Sequence, residues 1–191
     1  HFGGYLPAVV DITDGLIFGE DNVIAVWADN SDDPAYPPGK AQSVLDFTYF
    51  GGIYRDCWLV SHNKVFITDP NYEDITAGGG LFVAYDRVSD VSADILLKLN
   101  WRKYAGQTFK GTIEYGRLQP DGKQVGLLKS NLQVKARKAT GSSGKIVLQN
   151  PSLWKPEDPA LYNLLVRIRD HAGNVIDGYR RRIGIRSIEF K

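Results

Sequence analysis

Ile95-Leu-Leu-Lys-Leu-Asn-Trp-Arg102 decides the fold. Ile95, Leu97, Leu99 and Trp101 fall on every second position, with Lys98, Asn100 and Arg102 between them. Successive side chains of a strand point to opposite faces, so this period sets one face on a core and the other in water. The period returns twice further along. Leu132, Val134 and Ala136 alternate with Gln133, Lys135 and Arg137, and Tyr162, Leu164, Val166 and Ile168 alternate with Asn163, Arg167 and Arg169. Turn signals separate the runs at Pro120-Asp-Gly122, Gly141-Ser-Ser-Gly144 and His171-Ala-Gly-Asn174. Short strands punctuated in this way predict a β-sandwich of about seven strands over residues 70–191. No amphipathic helix pattern competes with it.

The first third reads differently. Asn22-Val-Ile-Ala-Val-Trp-Ala-Asp29 is apolar at both parities, as in a strand buried on both faces. Residues 30–40, with Pro34, Pro37, Pro38 and Gly39, read as an irregular loop. Residues 69–80 combine Pro70 with Gly78, Gly79 and Gly80, and strand patterning restarts at Leu81. That places a domain boundary at 69/70, with residues 1–69 as one unit and 70–191 as another.

A chain of 191 residues can bury a sizeable core. Net charge is +1 and the pI about 8.0, so no whole-chain field steers it to nucleic acid or an anionic membrane. No apolar run approaches the roughly 20 residues of a membrane span. No signal peptide is visible, and a start at His1 inside a motif points to an excised piece of a longer protein. Three histidines without paired spacing argue against zinc, and the single cysteine, Cys57, reads as a small buried strand residue.

The chemistry concentrates in Asp46-Phe-Thr-Tyr-Phe-Gly-Gly-Ile-Tyr-Arg-Asp56. Asp46 and Asp56 supply acceptors and Arg55 a planar fork of donors. Tyr49, Phe50 and Tyr54 supply flat faces, and Gly51 and Gly52 admit backbone angles that a Cβ forbids. Such parts suit a polyhydroxylated ring. Arg180-Arg-Arg182 has the look of a phosphate patch, but at strand period Arg180 and Arg182 share one face and Arg181 takes the other, as on a solvated or interdomain surface. Trp154 with Pro156 and Pro159 reads as a core plug before a late strand.

In order along the chain, His1-Phe-Gly-Gly-Tyr5, Asp11-Ile-Thr13, Gly19-Glu-Asp-Asn22, Val26-Trp-Ala-Asp-Asn30, Gly51-Gly-Ile-Tyr-Arg-Asp56, Asn150-Pro-Ser-Leu-Trp154 and Gly184-Ile-Arg-Ser-Ile188 resemble motifs of the β-galactosidases of glycoside hydrolase family 2. The resemblance runs over essentially the whole chain. It implies an all-β fold: the C-terminal part of a sugar-binding jelly roll over 1–69, then an immunoglobulin-like sandwich over 70–191. A jelly roll has about eight strands, so about half of one is missing. The family's (β/α)₈ barrel is missing too, and with it the two glutamates that a retaining glycosidase holds about 5 Å apart.

What the resemblance implies for function follows. The parent is a β-galactosidase removing terminal β-D-galactose, with the β-glucuronidase and β-mannosidase relatives that share its plan left open because sugar choice lies mostly in the barrel. This chain is its non-catalytic accessory region, walling the active site and positioning the barrel, with no hydrolase activity of its own. Asp46 reaches a galactosyl hydroxyl and can ligate a monovalent cation in the full-length enzyme. Tyr49 lines the pocket edge, while Gly51, Gly52, Tyr54, Arg55 and Asp56 form a structural motif, with a bidentate pairing of Arg55 to a carboxylate. No cofactor is implied in this chain itself, beyond a monovalent or divalent cation in the whole enzyme. The expected partners are a β-galactoside, the barrel domain and, because half a jelly roll leaves open edges, a second copy with swapped strands, but neither nucleic acid nor a membrane. Localisation is open, with a periplasmic or secreted site favoured over a cytoplasmic one. A stand-alone carbohydrate-binding module and a structural β-sandwich remain open as alternatives.

Overall fold

A computed structural model describes residues 6–48, 50–104, 106, 108–118, 124–134 and 140–189, with backbone alone at 117–118, 124–127 and 132–134. The His1–Tyr5 motif, Tyr49, the Pro120–Gly122 turn and the run Lys135-Ala136-Arg137 lie outside the described residues. The regular structure is almost all β, in two compact units, His1–Ser61 and His62–Lys191.

The second unit is built from β1 (Val65–Ile67), a one-turn helix α1 (Pro70–Glu73), β2 (Leu81–Asp86), β3 (Ser92–Lys103), β4 (Phe109–Leu118), β5 (Gln124–Val134), β6 (Thr140–Gln149), β7 (Tyr162–Asp170) and β8 (Val175–Ile183). All pairings are antiparallel. β3 carries β6 on one edge, while β2 and β1 share its other edge in succession. The second sheet runs β5-β4-β7-β8. The alternation in β3 and β7 builds the core between the sheets: Ile95, Leu97, Leu99 and Trp101 face Leu164, Val166 and Ile168, all at most 1% exposed. The chain crosses between sheets at β3–β4, β5–β6 and β6–β7, the connection pattern of immunoglobulin-like sandwiches. At the start of β7 the Tyr162 hydroxyl accepts a hydrogen bond from the Ser152 backbone N–H at 2.7 Å. This is the tyrosine corner that fixes the corner before the sixth strand of such sandwiches.

Three sequence expectations change here. The sandwich begins at His62, eight residues before 70, because β1 pairs with β3 through Val65↔Lys103 and Ile67↔Trp101. The Pro/Gly stretch is a loop between two strands on one edge, not a linker. Asp69 caps α1 by accepting from Asn71 and Tyr72 N–H, with Pro70 at the first turn. Gly80, at φ +75, brings the returning chain so close to Thr68 that a Cβ would lie 2.5 Å from the Thr68 carbonyl oxygen. Gly141-Ser-Ser-Gly144 is strand, not turn, since it lies inside β6. Its small residues make room for the Tyr115 ring, whose hydroxyl meets Ser142 Oγ at 2.9 Å. Trp154 is half-buried rather than a core plug. It bridges to Pro159, its backbone N–H donates to the Ile185 carbonyl at 2.8 Å, and Arg186 stacks 4.7 Å over its ring. The turn at His171–Asn174 forms as expected, with Gly173 at φ +88.

The first unit has two single-turn 3₁₀ helices, Thr13–Gly15 and Gln42–Val44, and no strand among its described residues. The segment Asn22–Asp29, expected as a buried strand, is exposed throughout, with Val23 at 94% and Trp27 at 91%. A strand takes its hydrogen bonds from neighbours, and the described residues of the first unit offer one another none of sheet type. Local side-chain caps hold the trace instead: Asp11 accepts from Thr13, Asp29 from Ser31, and the Asn22 amide clasps Ile17 from both sides. For the same reason Cys57 is exposed rather than a buried strand residue.

Candidate functional site

Asp46 follows the 3₁₀ turn Gln42–Val44 and is exposed. Gly51 lies against Asn30, where a Cβ would fall 2.6 Å from the side-chain amide, so the motif is packed onto the far end of the preceding proline-rich loop. Gly52 takes φ +84, which a side chain would strain. Arg55 and Asp56 are exposed, and no carboxylate lies within 4.0 Å of Arg55 among the described residues. Arg55 instead stacks 5.7 Å over the Tyr54 ring, in place of the expected bidentate pair. Phe50 is exposed, and Tyr49 lies outside the described residues. No three His, Cys, Asp or Glu side chains converge among the described residues. Asp46 therefore offers a cation one ligand and does not by itself make a metal site.

The sandwich holds ionic clusters that sequence reading passed over. Glu114 on β4, 6% exposed, accepts from Arg169 Nε of β7 at 2.7 Å and meets Lys129 Nζ of β5 at 3.1 Å. The Arg169 hydrogen bond above all, aided by Lys129 and opposed by burial, holds the Glu114 carboxyl below its ordinary range. With Lys110, Thr112 and His171 these groups line a cleft of about 430 Å³. On the other sheet Asp94, buried on β3, bonds Lys145 at 2.7 Å and Arg87, and those hydrogen bonds hold its carboxyl low as well. Glu73 of α1 pairs with Arg102 at 2.9 Å, whose guanidinium lies 5.5 Å over Tyr72. Asp177 of β8 accepts from the Ile67 N–H at 2.6 Å and has His62 Nδ1 at 3.7 Å, tying β1 to the opposite sheet. These partners lie 15 to 115 residues apart in sequence, except Arg87 and Asp94, so spacing does not reveal them. Charged residues at outward strand positions were the available signal.

Fold and geometry define an all-β protein built on an immunoglobulin-like sandwich. The model of the "Glycosyl hydrolases family 2" matches residues 79–186, which runs from the close approach at Gly79–Gly80 to Arg186 over Trp154. The chain belongs to that family. A β-glucuronidase of Bacteroides fragilis is 30% identical over 188 residues, 97% of this chain and 25% of its own length. A β-galactosidase of Thermoanaerobacter pseudethanolicus is 28% identical over 193 residues, 100% of this chain and 23% of its own. The solved structure of Bacteroides uniformis β-glucuronidase 2, covalently bound to cyclophellitol-6-carboxylate aziridine, superposes with a TM-score of 0.81 at 27% identity. That likeness covers 94% of this chain and 20% of that one, so it extends into the first unit. The chain thus spans a fifth to a quarter of the length of these relatives.

Proposed function

We propose that this chain is a non-catalytic β-sandwich region of a larger glycoside hydrolase that releases terminal β-D-galactose, with the sandwich positioning a separate catalytic barrel. One observation carries the reading. The two buried acidic residues among those described, Asp94 and Glu114, are hydrogen-bonded to cations that hold their carboxyls below the ordinary range. A glycosidase acid needs the reverse, a carboxyl whose pKa is raised so that it can donate a proton. The first unit belongs to the end of a sugar-binding jelly roll. Its exposed Trp27, Phe50 and Trp58 support pairing with further chain or with a second copy. In the whole enzyme Asp46 contacts a sugar hydroxyl, alone or through a bound cation.

The β-glucuronidase name of the 30% identical relative favours a second reading, in which the released sugar is a β-glucuronide. The purified chain is expected to turn over neither p-nitrophenyl β-galactoside nor the glucuronide. Turnover by the chain that disappears in Glu114→Gln would overturn the accessory role. In the full-length protein the ratio of kcat/KM for the two substrates separates the sugar readings. There Asp46→Ala is expected to raise KM with the fold intact, and unchanged kinetics would remove Asp46 from the site.

A further inference from the structure

We infer that the outer face of the β5-β4-β7-β8 sheet is a docking surface for a polysaccharide whose negative charges are carboxylates. The core-facing parity of Ile113, Leu164, Val166 and Ile168 sends their neighbours outward. The register aligns Glu114 with Lys129 and Arg167, Thr112 with Arg169, Leu165 with Arg180, and Asn163 with Arg182. Lys110, Lys129, Arg167, Arg169, Arg180 and Arg182 therefore share one face. Two described carboxylates lie on or beside this face: Glu114, already engaged by Arg169 and Lys129, and at the cleft end Asp170, which accepts from the backbone and side-chain N–H of Asn174. Lys110, Arg167, Arg180 and Arg182 have no carboxylate within 4.0 Å among the described residues. Arg180 Nε donates to the Asn163 amide oxygen at 3.2 Å. The whole chain carries a net charge of +1, so this face is a local concentration of positive charge and not a sample of a basic protein.

The cations lie in a line. Positions two apart on a strand are about 7 Å apart and adjacent strands about 4.8 Å. Arg182, Arg180, Arg167, Arg169 and Lys110 then trace a diagonal roughly 30 Å long with a cation about every 7–8 Å. The diagonal ends in the cleft of about 430 Å³ beside His171, where a terminal ring has room. Guanidinium forks match carboxylates two oxygens at a time. A linear polyanion fits this face better than the alternatives. No described outward side chain on it is aromatic, so nucleic-acid bases have no stacking platform. Leu165 and Val175 are its large apolar groups among the described outward side chains, at different ends of the face and too little for the apolar centre of a protein interface. The choice of a sugar polymer rests on the glycoside-hydrolase reading, while the charge argument stands without it.

The test is affinity electrophoresis of the purified chain in gels containing polygalacturonate, neutral β-galactan or duplex DNA. Polygalacturonate is expected to retard the chain, β-galactan to leave it unretarded, and about 1 M NaCl to abolish retardation by screening. The double variant Arg180→Gln/Arg182→Gln, on an exposed edge strand, is expected to bind about tenfold more weakly. Lys155→Gln, outside the face, is expected to bind as the parent does. Glu114→Gln frees Arg169 and Lys129 and is expected to bind more tightly. The inference is overturned by absent retardation in polygalacturonate, by equal retardation in β-galactan, by tighter binding to DNA, or by unchanged binding of the double variant. Retention on polygalacturonate by a protein whose full-length form hydrolyses neither chromogenic glycoside would sink the hydrolase reading and leave the docking surface standing.

Discussion

Glu114→Gln removes one negative charge from beneath two cations and leaves the shape of the site nearly unchanged. In the parent, Glu114 makes charge-assisted contacts at 2.7 and 3.1 Å with only 8% of its side chain exposed. Removing one member of a fully buried ion pair costs several kcal/mol, because the partner is left charged and dry. Here the partners are not dry: the Arg169 side chain is 27% exposed and Lys129 58% exposed, and Arg169 keeps its bond to the Gly173 carbonyl at 2.7 Å. Both reach water when Glu114 is neutralised, so the expected loss is about 1–2 kcal/mol. For a domain of this size that lowers Tm by roughly 4–8 °C. The effect depends on pH with a definite sign. The native carboxyl titrates below its ordinary value of 4.5, so the unfolded chain takes up the proton first as pH falls. The stabilisation is complete well above pH 4.5 and is lost as pH drops below it towards the native value. Urea denaturation of parent and variant at pH 7 and at pH 3 reads this directly. The difference in stability between the two should be present at pH 7 and shrink at pH 3. A difference that grows in acid, or none at pH 7, would refute the account of Glu114 as a clamped, ionised carboxylate.

Other variants probe the frame. Tyr162→Phe deletes the acceptor for Ser152 N–H and should cost about 1 kcal/mol, read as a shift in the urea midpoint with unchanged slope. Gly80→Ala strains a φ of +75 and drives a Cβ into the Thr68 carbonyl, so a loss above about 1 kcal/mol is expected, whereas a gain would show that the loop relaxes freely. Leu97→Ala opens a cavity in a 1%-exposed core position and should cost about 2–5 kcal/mol by the same measurement.

The strands with long unbroken alternation were legible in the sequence. Ile95–Trp101 and Tyr162–Ile168 carry four inward residues each, enough for the period of two to stand above chance. The restart at Leu81 was legible because turn residues precede it. β1 was not, since three residues carry no period, and the Pro/Gly loop behind it resembles a linker. The shared face of Arg180 and Arg182 was legible from parity, but its alignment with Arg167, Arg169 and Lys110 needed the register of two strand pairs. Asn22–Asp29 failed for another reason. Its composition is that of a buried strand, but composition cannot supply the neighbours that a strand requires.

The bond from Ile67 to Asp177 spans 110 residues. On a ribosome adding about 5–20 residues per second, roughly 5–20 s separate the synthesis of donor and acceptor. Once β3 has been made, β1 has its place beside it but no anchor on the opposite sheet until β8 follows. The last strand to emerge is the one that latches the first, so the sandwich can close only once nearly all of it has been made.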